Sequence, residues 1–356
     1  MLPLKQSIGL AVTRPIIDKV IREHPLTTLF WECTLRCNLH CRHCGSDCRI
    51  TAAVKDMPLE DFLPVLDSIA REVDPHKVMI NVTGGEPLMR KDLEVCGKAF
   101  YDRGFPWGIV TNGQALTPER YQRLLQSGLR AVTVSLDGIG STHEWMRGLP
   151  GSYPKALSAI RMVAGSKAVE YDVVTCVNQR SIKELDAIKE LLIGNGIKAW
   201  RLFTVFPVGR AAQDPELRLS GEQFRALMEF IRRTRKEGRI RASYGCEGFL
   251  GRYEGEVRDA FFHCAAGITI GSVMADGAIA ACPSIRADYS QGNIYNGDDF
   301  MEVWNHRYGI YRDHNWMKTG ECAACRYWRH CRGNGMHLRD ADGKLIFCHL
   351  HRLNEA

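Results

Sequence analysis

Apolar and polar positions follow two alternating periods along the first two-thirds of the chain. Six short runs rich in Val, Ile, Phe, Thr and Trp read as strands: Thr27–Glu32, Lys77–Val82, Trp107–Thr111, Ala131–Leu136, Tyr171–Val177 and Trp200–Phe206. Between them lie stretches of helical period at about 59–73, 91–103, 118–127, 154–164 and 182–194, with a sixth at 221–237. Some carry start signals. Thr117 stands before Pro118, a cap followed by a proline at the first helical position. Ser181 with Glu184, and Ser220 with Gln223, read as capping boxes, the first followed by Ile182, Leu185, Ile188 and Leu192 on one face.

Strand–helix alternation predicts an α/β protein with a parallel sheet and helices outside it. Six such units make a partial (β/α)6, TIM-like barrel or a doubly wound sheet. Barrels gather chemistry at the C-terminal ends of their strands. The candidate motifs of this chain fall at those ends, which favours the barrel. After residue 238 helical periodicity fades, and Gly, Cys and short loops take over. The expected organisation is an N-terminal extension (1–24), a barrel (25–237) and a small cysteine-held domain (238–356).

A chain of 356 residues, 45% hydrophobic and 25% charged, has enough apolar material for a sizeable core, and it is not a disordered or collagen-like polymer. No run approaches the roughly 18 consecutive apolar residues of a membrane helix, so no membrane span is expected. Met1–Val20, interrupted by Lys5, Arg14 and Asp18, has no signal-peptide core, and the expected location is cytoplasmic. The net charge of +6 is interspersed. Its densest run, Arg232-Arg233-Thr234-Arg235-Lys236, falls on a helix and reads as a solvated face. No aromatic-rich RNA-binding signature accompanies it, and no nucleic-acid partner is expected.

The fourteen cysteines change the picture. Five lie between Cys33 and Cys48, seven between Cys246 and Cys348, and only Cys96 and Cys176 stand apart. A cytosolic chain with a core of this size needs no disulfide scaffold, so clustered thiols point to metal or redox sites. Cys37, Cys41 and Cys44 are spaced C-x3-C-x2-C directly after the first strand. Three thiolates in so short a loop suit an iron–sulfur cluster with one iron left without a protein ligand. A zinc loop completed by His40, His43 or Cys48 is the plainer reading. Cys33, Cys96 and Cys176 read as buried structural thiols, and Cys48 as either packed or reactive.

This loop, together with the strand ends after it, resembles the radical S-adenosylmethionine (SAM) enzymes, whose motif is CxxxCxxC after the first strand of a partial barrel. The resemblance implies a 4Fe–4S cluster on Cys37, Cys41 and Cys44 whose open iron binds SAM. One electron from the cluster then cleaves SAM to a 5′-deoxyadenosyl radical that abstracts hydrogen from substrate. It also implies an external electron donor such as flavodoxin or ferredoxin. Gly84-Gly85-Glu86-Pro87 at the end of the second strand looks like the family's GGEP loop, which meets the methionine amino group. Glycines let backbone approach a ligand, and a carboxylate can pair with an ammonium. Ser135-Leu136-Asp137-Gly138 resembles the SxDG segment near the ribose. Asn178 and Arg147 are weaker candidates for contacting SAM. Thr111-Asn112-Gly113 is expected in the site's floor, and Leu202, Phe203 and Phe206 beside adenine or in the core.

The second cysteine group reads plainly as a zinc ribbon or RING-like module. Behind such a barrel it resembles the SPASM domain, which binds auxiliary 4Fe–4S clusters. Cys264, Gly277-x4-Cys282, Cys322, Cys325, Cys331 and Cys348 match that pattern; the cysteine expected four residues after Cys331 is Gly335. The resemblance therefore implies one or two auxiliary clusters: a complete one on Cys322, Cys325, Cys331 and Cys348, and a second on Cys246, Cys264 and Cys282 that either has an open iron, takes a non-cysteine ligand or does not form. The implied function is hydrogen abstraction from a peptide or protein substrate, a small lipoprotein or a precursor peptide, in an oxidative maturation. The alternatives are small-molecule chemistry in a cofactor, haem or sugar pathway, and a non-enzymatic iron–sulfur or zinc protein that binds a partner. No residue stands out as the catalytic base.

Overall fold

Trp31 anchors one end of the core. In β1 (Thr28–Thr34) its indole stacks on Phe62 of α2 (Leu59–Glu72), with ring centroids 4.6 Å apart. Phe100 of α3 (Leu93–Asp102) meets Trp31 edge-on at 5.6 Å, and Trp107 of β3 (Trp107–Thr111) closes the group on Phe100 at 6.3 Å. Offset and edge-on ring contacts of this kind add to plain area burial. They pin the first helices to the outer face of the sheet. The structure, a computed structural model, describes residues 2–245 and 248–355.

The chain alternates strand and helix as its periodicity predicts. After β1 and α2 come β2 (Met79–Gly84), α3, β3, α4 (Pro118–Gln126), β4 (Leu129–Ser135), α5 (Ser141–Arg147), α6 (Ser152–Ala164), β5 (Glu170–Val177), α7 (Leu185–Gly194), β6 (Ala199–Thr204), α8 (Gly221–Glu237) and β7 (Arg241–Tyr244). β1 to β7 are parallel neighbours in chain order. The sheet continues past residue 237 at both edges: β7 extends it beyond β6, and β8 (Ile270–Val273) pairs with β1 in parallel. β9 (Ala278–Ala280) and β10 (Gly292–Asn293) follow antiparallel. β7 and β10 are the two free edges, so the barrel stays open.

Two start signals take their expected form. Thr117 Oγ1 accepts from Arg120 N at 3.2 Å, and Ser220 and Gln223 make a complete capping box. The third does not. Residues Ser181–Glu184 form a 3-10 turn and α7 begins only at Leu185. Glu184 turns instead to the loop after β4, accepting from Ile139 N at 2.9 Å and Thr142 Oγ1 at 2.6 Å. A tertiary pair of donors outcompetes the local backbone.

The N-terminal extension is helical, α1 (Leu4–Glu23), for which the periodicity offered no expectation. It docks on the C-terminal region, where Leu10 packs with Phe249 and Phe262, and Asp18 pairs with Arg332 at 3.0 Å. No disulfide joins two of the described cysteines; Cys246 lies outside the described residues.

Candidate functional site

Residues 35–48 leave β1 at its C-terminal end and form a loop without helix or strand. Two neighbouring segments hold it. Gly85 N donates to Thr34 O at 2.8 Å and Glu86 N to Arg36 O at 2.9 Å, so the GGEP turn is laced to the start of the cysteine loop. The approach is too close for side chains. A Cβ on Gly85 would sit 2.2 Å from Arg36 O, and Gly84, at φ +136°, already lies in a region closed to L residues. On the far side, a Cβ on Gly209 would meet Cys44 O at 2.5 Å.

Glu86 is fully buried. Its carboxylate accepts from Thr111 Oγ1 at 2.7 Å, Asn112 N at 2.8 Å and Leu88 N at 3.2 Å. Burial raises its pKa, against these donors. Thr111-Asn112-Gly113 is thereby tied beneath the cysteine loop, and Asn112 Nδ2 reaches Asn38 Oδ1 at 2.8 Å and Cys37 Sγ at 3.8 Å. Pro87, also buried, opens the short turn that succeeds it.

Each of the three loop thiols has a donor. Cys37 Sγ takes Leu39 N at 3.5 Å, Cys41 Sγ takes Arg147 Nη1 at 3.7 Å and Cys44 Sγ takes Cys48 N at 3.4 Å. As free thiols they sit in unlike surroundings. Burial pushes Cys37 up to about 12 and raises Cys41, whereas hydrogen bonds from Cys48 hold Cys44 below the usual thiol range. A zinc ion at about 2.3 Å from each sulfur would draw three thiolates to within about 4 Å of one another. Among the described residues, the only three or more ligand atoms all within 4.8 Å are those of Glu321, Cys348 and His351. The loop cysteines stand wider apart than a single ion requires. Three thiols with N–H donors aimed at them fit a larger anionic group, as a 4Fe–4S cluster is.

The SxDG segment differs from expectation. Asp137 is wholly enclosed, and its carboxylate faces Arg147 Nε at 2.7 Å and Cys176 N at 2.8 Å. Burial works to raise this carboxyl, yet Arg147 with His43 and His143 holds it below its ordinary value. A carboxylate so spent is not turned toward a sugar; it braces the arginine that reaches Cys41. Asn178 is likewise enclosed, its Oδ1 accepting from Arg180 N at 2.9 Å and Ser181 N at 3.1 Å, which makes a turn rather than a ligand contact. Ser135 is buried at the end of β4.

A cavity of 280 Å³ opens at the C-terminal ends of the strands. His43, Cys44, Gly84, Cys176 and Phe206 line it. Cys176 therefore reaches the barrel mouth instead of the core, because β5 points alternate residues inward and 176 falls on the inner set. His43 is half-buried, and desolvation drops its pKa to about 4, so the ring is neutral at pH 7. Pro283, Ser284 and Arg286 close the same cavity from the C-terminal region. Arg286 is fixed there by Glu32 of β1 at 2.9 Å. The sequence carried no signal for this link, which joins residues 254 apart.

Cys282 immediately precedes that wall and lies near Cys264; burial, then Cys264, raises its pKa. Farther out, burial lifts Cys331 to about 12, with Cys348 and Cys322 close by. Cys325 succeeds Cys322 in a tight turn, its N–H on Cys322 O at 3.3 Å.

Residues 31–192, from the middle of β1 to the end of α7, match the radical SAM superfamily. The chain carries a radical SAM domain. Its cofactors are a 4Fe–4S cluster and SAM. Over 85% of its length this chain is 26% identical to an AdoMet-dependent heme synthase of Methanosarcina barkeri, spanning 89% of that protein. It is 27% identical to the mycofactocin maturase MftC of Mycolicibacterium smegmatis, over 86% of this chain and 77% of that one. In fold it resembles native anSMEcpe with bound AdoMet and Cp18Cys peptide, at a TM-score of 0.69 and 18% identity, over 92% of this chain and 93% of that one. Likeness over nine-tenths of the chain extends the shared fold beyond the radical SAM domain into the cysteine-rich C-terminal region.

Proposed function

We propose that this radical SAM enzyme abstracts hydrogen from a side chain of a peptide or protein in an oxidative maturation. The observation that carries the reading is the barrel mouth itself, where Cys44 of the first cysteine loop and the segment after Cys282 face one cavity. An oxidative reaction must dispose of an electron after hydrogen abstraction, and a redox group beside the mouth provides for it. The maturase MftC and the peptide-bound anSMEcpe support the choice of substrate class.

The roles fall to named residues. Cys37, Cys41 and Cys44 hold the cluster. Gly84 and Gly85 give SAM backbone to lie against, Glu86 holds that turn in place, and Ser135 offers a hydroxyl at the end of β4. Asp137 and Asn178 keep supporting positions behind them. A cluster and SAM held there would supply hydrogen-abstracting radical chemistry, given an electron from an external donor of flavodoxin or ferredoxin type. Cys322, Cys325, Cys331 and Cys348 hold an auxiliary cluster, and Cys264 and Cys282, with Cys246, are the candidates for a second.

A second reading is chemistry on an iron porphyrin, favoured by the heme synthase, whose length this chain nearly spans. One experiment separates the two. The enzyme is reconstituted anaerobically and given SAM, reductant and either candidate precursor peptides encoded beside its gene or an iron porphyrin bearing propionates. Deuterium transfer from a labelled peptide into 5′-deoxyadenosine supports the maturase reading. Transfer from the porphyrin alone overturns it in favour of the second.

A further inference from the structure

Arg339 is 97% buried, at 3% exposure. Its guanidinium donates through Nη1 to Gly343 O at 2.6 Å, and through Nη2 to Gly333 O at 3.2 Å and Cys322 Sγ at 3.4 Å. Nε is enclosed and has no hydrogen-bond partner. Among the described residues, no carboxylate oxygen lies within 4.0 Å of the group. The fit is close. At Gly333, φ is +93° and a Cβ would stand 2.9 Å from Nη2, so the turn beside the arginine admits no side chain. A buried cation without a counter-ion is costly, and an orphaned buried donor calls for an explanation. Four thiolates gathered around iron and sulfide form an anion, which would answer both demands.

The two other buried arginines that touch a thiol each have a carboxylate: Arg90 reaches Cys96 at 3.8 Å and pairs with Asp92 at 2.7 Å. Arg147 reaches Cys41, and Asp137 neutralises it at 2.7 Å. Net charge and hydrogen bonds to sulfur are among the factors that set an iron–sulfur potential. We propose that Arg339 is a positioning residue for an iron–sulfur cluster on Cys322, Cys325, Cys331 and Cys348, and that its uncompensated charge raises that cluster's reduction potential, making it an electron acceptor. The inference rests on the assignment of a cluster to those four cysteines under the proposed function.

The test uses the full chain with Cys37, Cys41, Cys44, Cys264 and Cys282 replaced by Ala, so that retained iron belongs to the Cys322 group. After anaerobic reconstitution it is titrated with reductant and followed by electron paramagnetic resonance. Arg339→Gln in this background should shift the midpoint to lower potential, and Arg339→Lys should restore part of the shift by restoring the charge. An unchanged midpoint in Arg339→Gln, with iron retained, overturns the role of Arg339 and leaves the cluster assignment standing. A parent that binds no iron overturns the assignment and the inference together. Should the Gln variant lose its iron, the parent decides. Grown with 15N-guanidino arginine, its reduced cluster should show a 15N coupling in pulsed resonance that Arg339→Lys lacks. Absence of that coupling from the parent overturns the proposal.

Discussion

Asp137→Asn tests the brace behind the first cysteine loop. The substitution keeps the shape and the acceptor for Cys176 N, and removes one charge. Asp137 and Arg147 are 0% and 9% exposed in their side chains, so solvent does little to screen them. At 2.7 Å and an effective dielectric of about 20, their attraction is on the order of 6 kcal/mol. Desolvation of the carboxylate offsets part of this, and breaking a buried pair by removing one partner costs about 3–5 kcal/mol. An unfolding entropy of about 2.1 cal/mol/K per residue converts that to a fall of roughly 4–7 °C in Tm if all 356 residues melt together. The assay is thermal and urea unfolding of the cluster-free chain, kept reduced and followed by circular dichroism. Arg147→Met alone should cost a similar amount, and the double variant should be more stable than the sum of the singles predicts. A change below about 1 kcal/mol in Asp137→Asn, or strict additivity in the double variant, would refute the reasoning. The pH sign comes from the lowered carboxyl. Its contribution is complete above the unfolded pKa near 4 and is lost as pH falls through the folded value, so parent and variant should converge on acidification.

The same geometry sets other outcomes. Gly85→Ala forces a Cβ against Arg36 O, and iron bound at the first loop should fall while the C-terminal iron stays, as counted by iron and sulfide analysis. Glu86→Gln turns an amide N–H toward at least one of the three donors that the carboxylate now accepts from; SAM affinity should drop roughly ten- to hundredfold by titration, for about 1.5–3 kcal/mol of charge-assisted hydrogen bonding lost. Replacing Cys37, Cys41 and Cys44 together by Ala should abolish 5′-deoxyadenosine production and leave about four irons for one auxiliary cluster or about eight for two. Thr117→Ala removes the α4 cap and should cost about 1 kcal/mol of stability without changing SAM cleavage.

The alternation of strands and helices, a parallel sheet and the cysteine loop at a strand's C-terminal end could all be read from the chain, because each rests on local signals. Period-2 and period-3.6 patterns, a proline after a threonine and a C-x3-C-x2-C spacing need no distant partner to be recognised. Helix α1 had no such signal; its buried residues are few and meet partners some 250 positions away. The roles within the site were legible only in part. GGEP and SxDG mark the right strand ends, but sequence does not tell whether a carboxylate faces a ligand or its own scaffold. Tertiary packing decided that: Thr111 and Asn112 claim Glu86, Arg147 claims Asp137, and the inward set of β5 turns Cys176 to the cavity. Glu184 left its expected cap for the same reason, since a half-buried carboxylate goes where donors from other elements converge. The wall supplied by Pro283–Arg286 depends on segments far apart in sequence meeting in space. Spacing along a chain records which residues are near in sequence, and the electrostatics of a buried site depend on which are near in three dimensions.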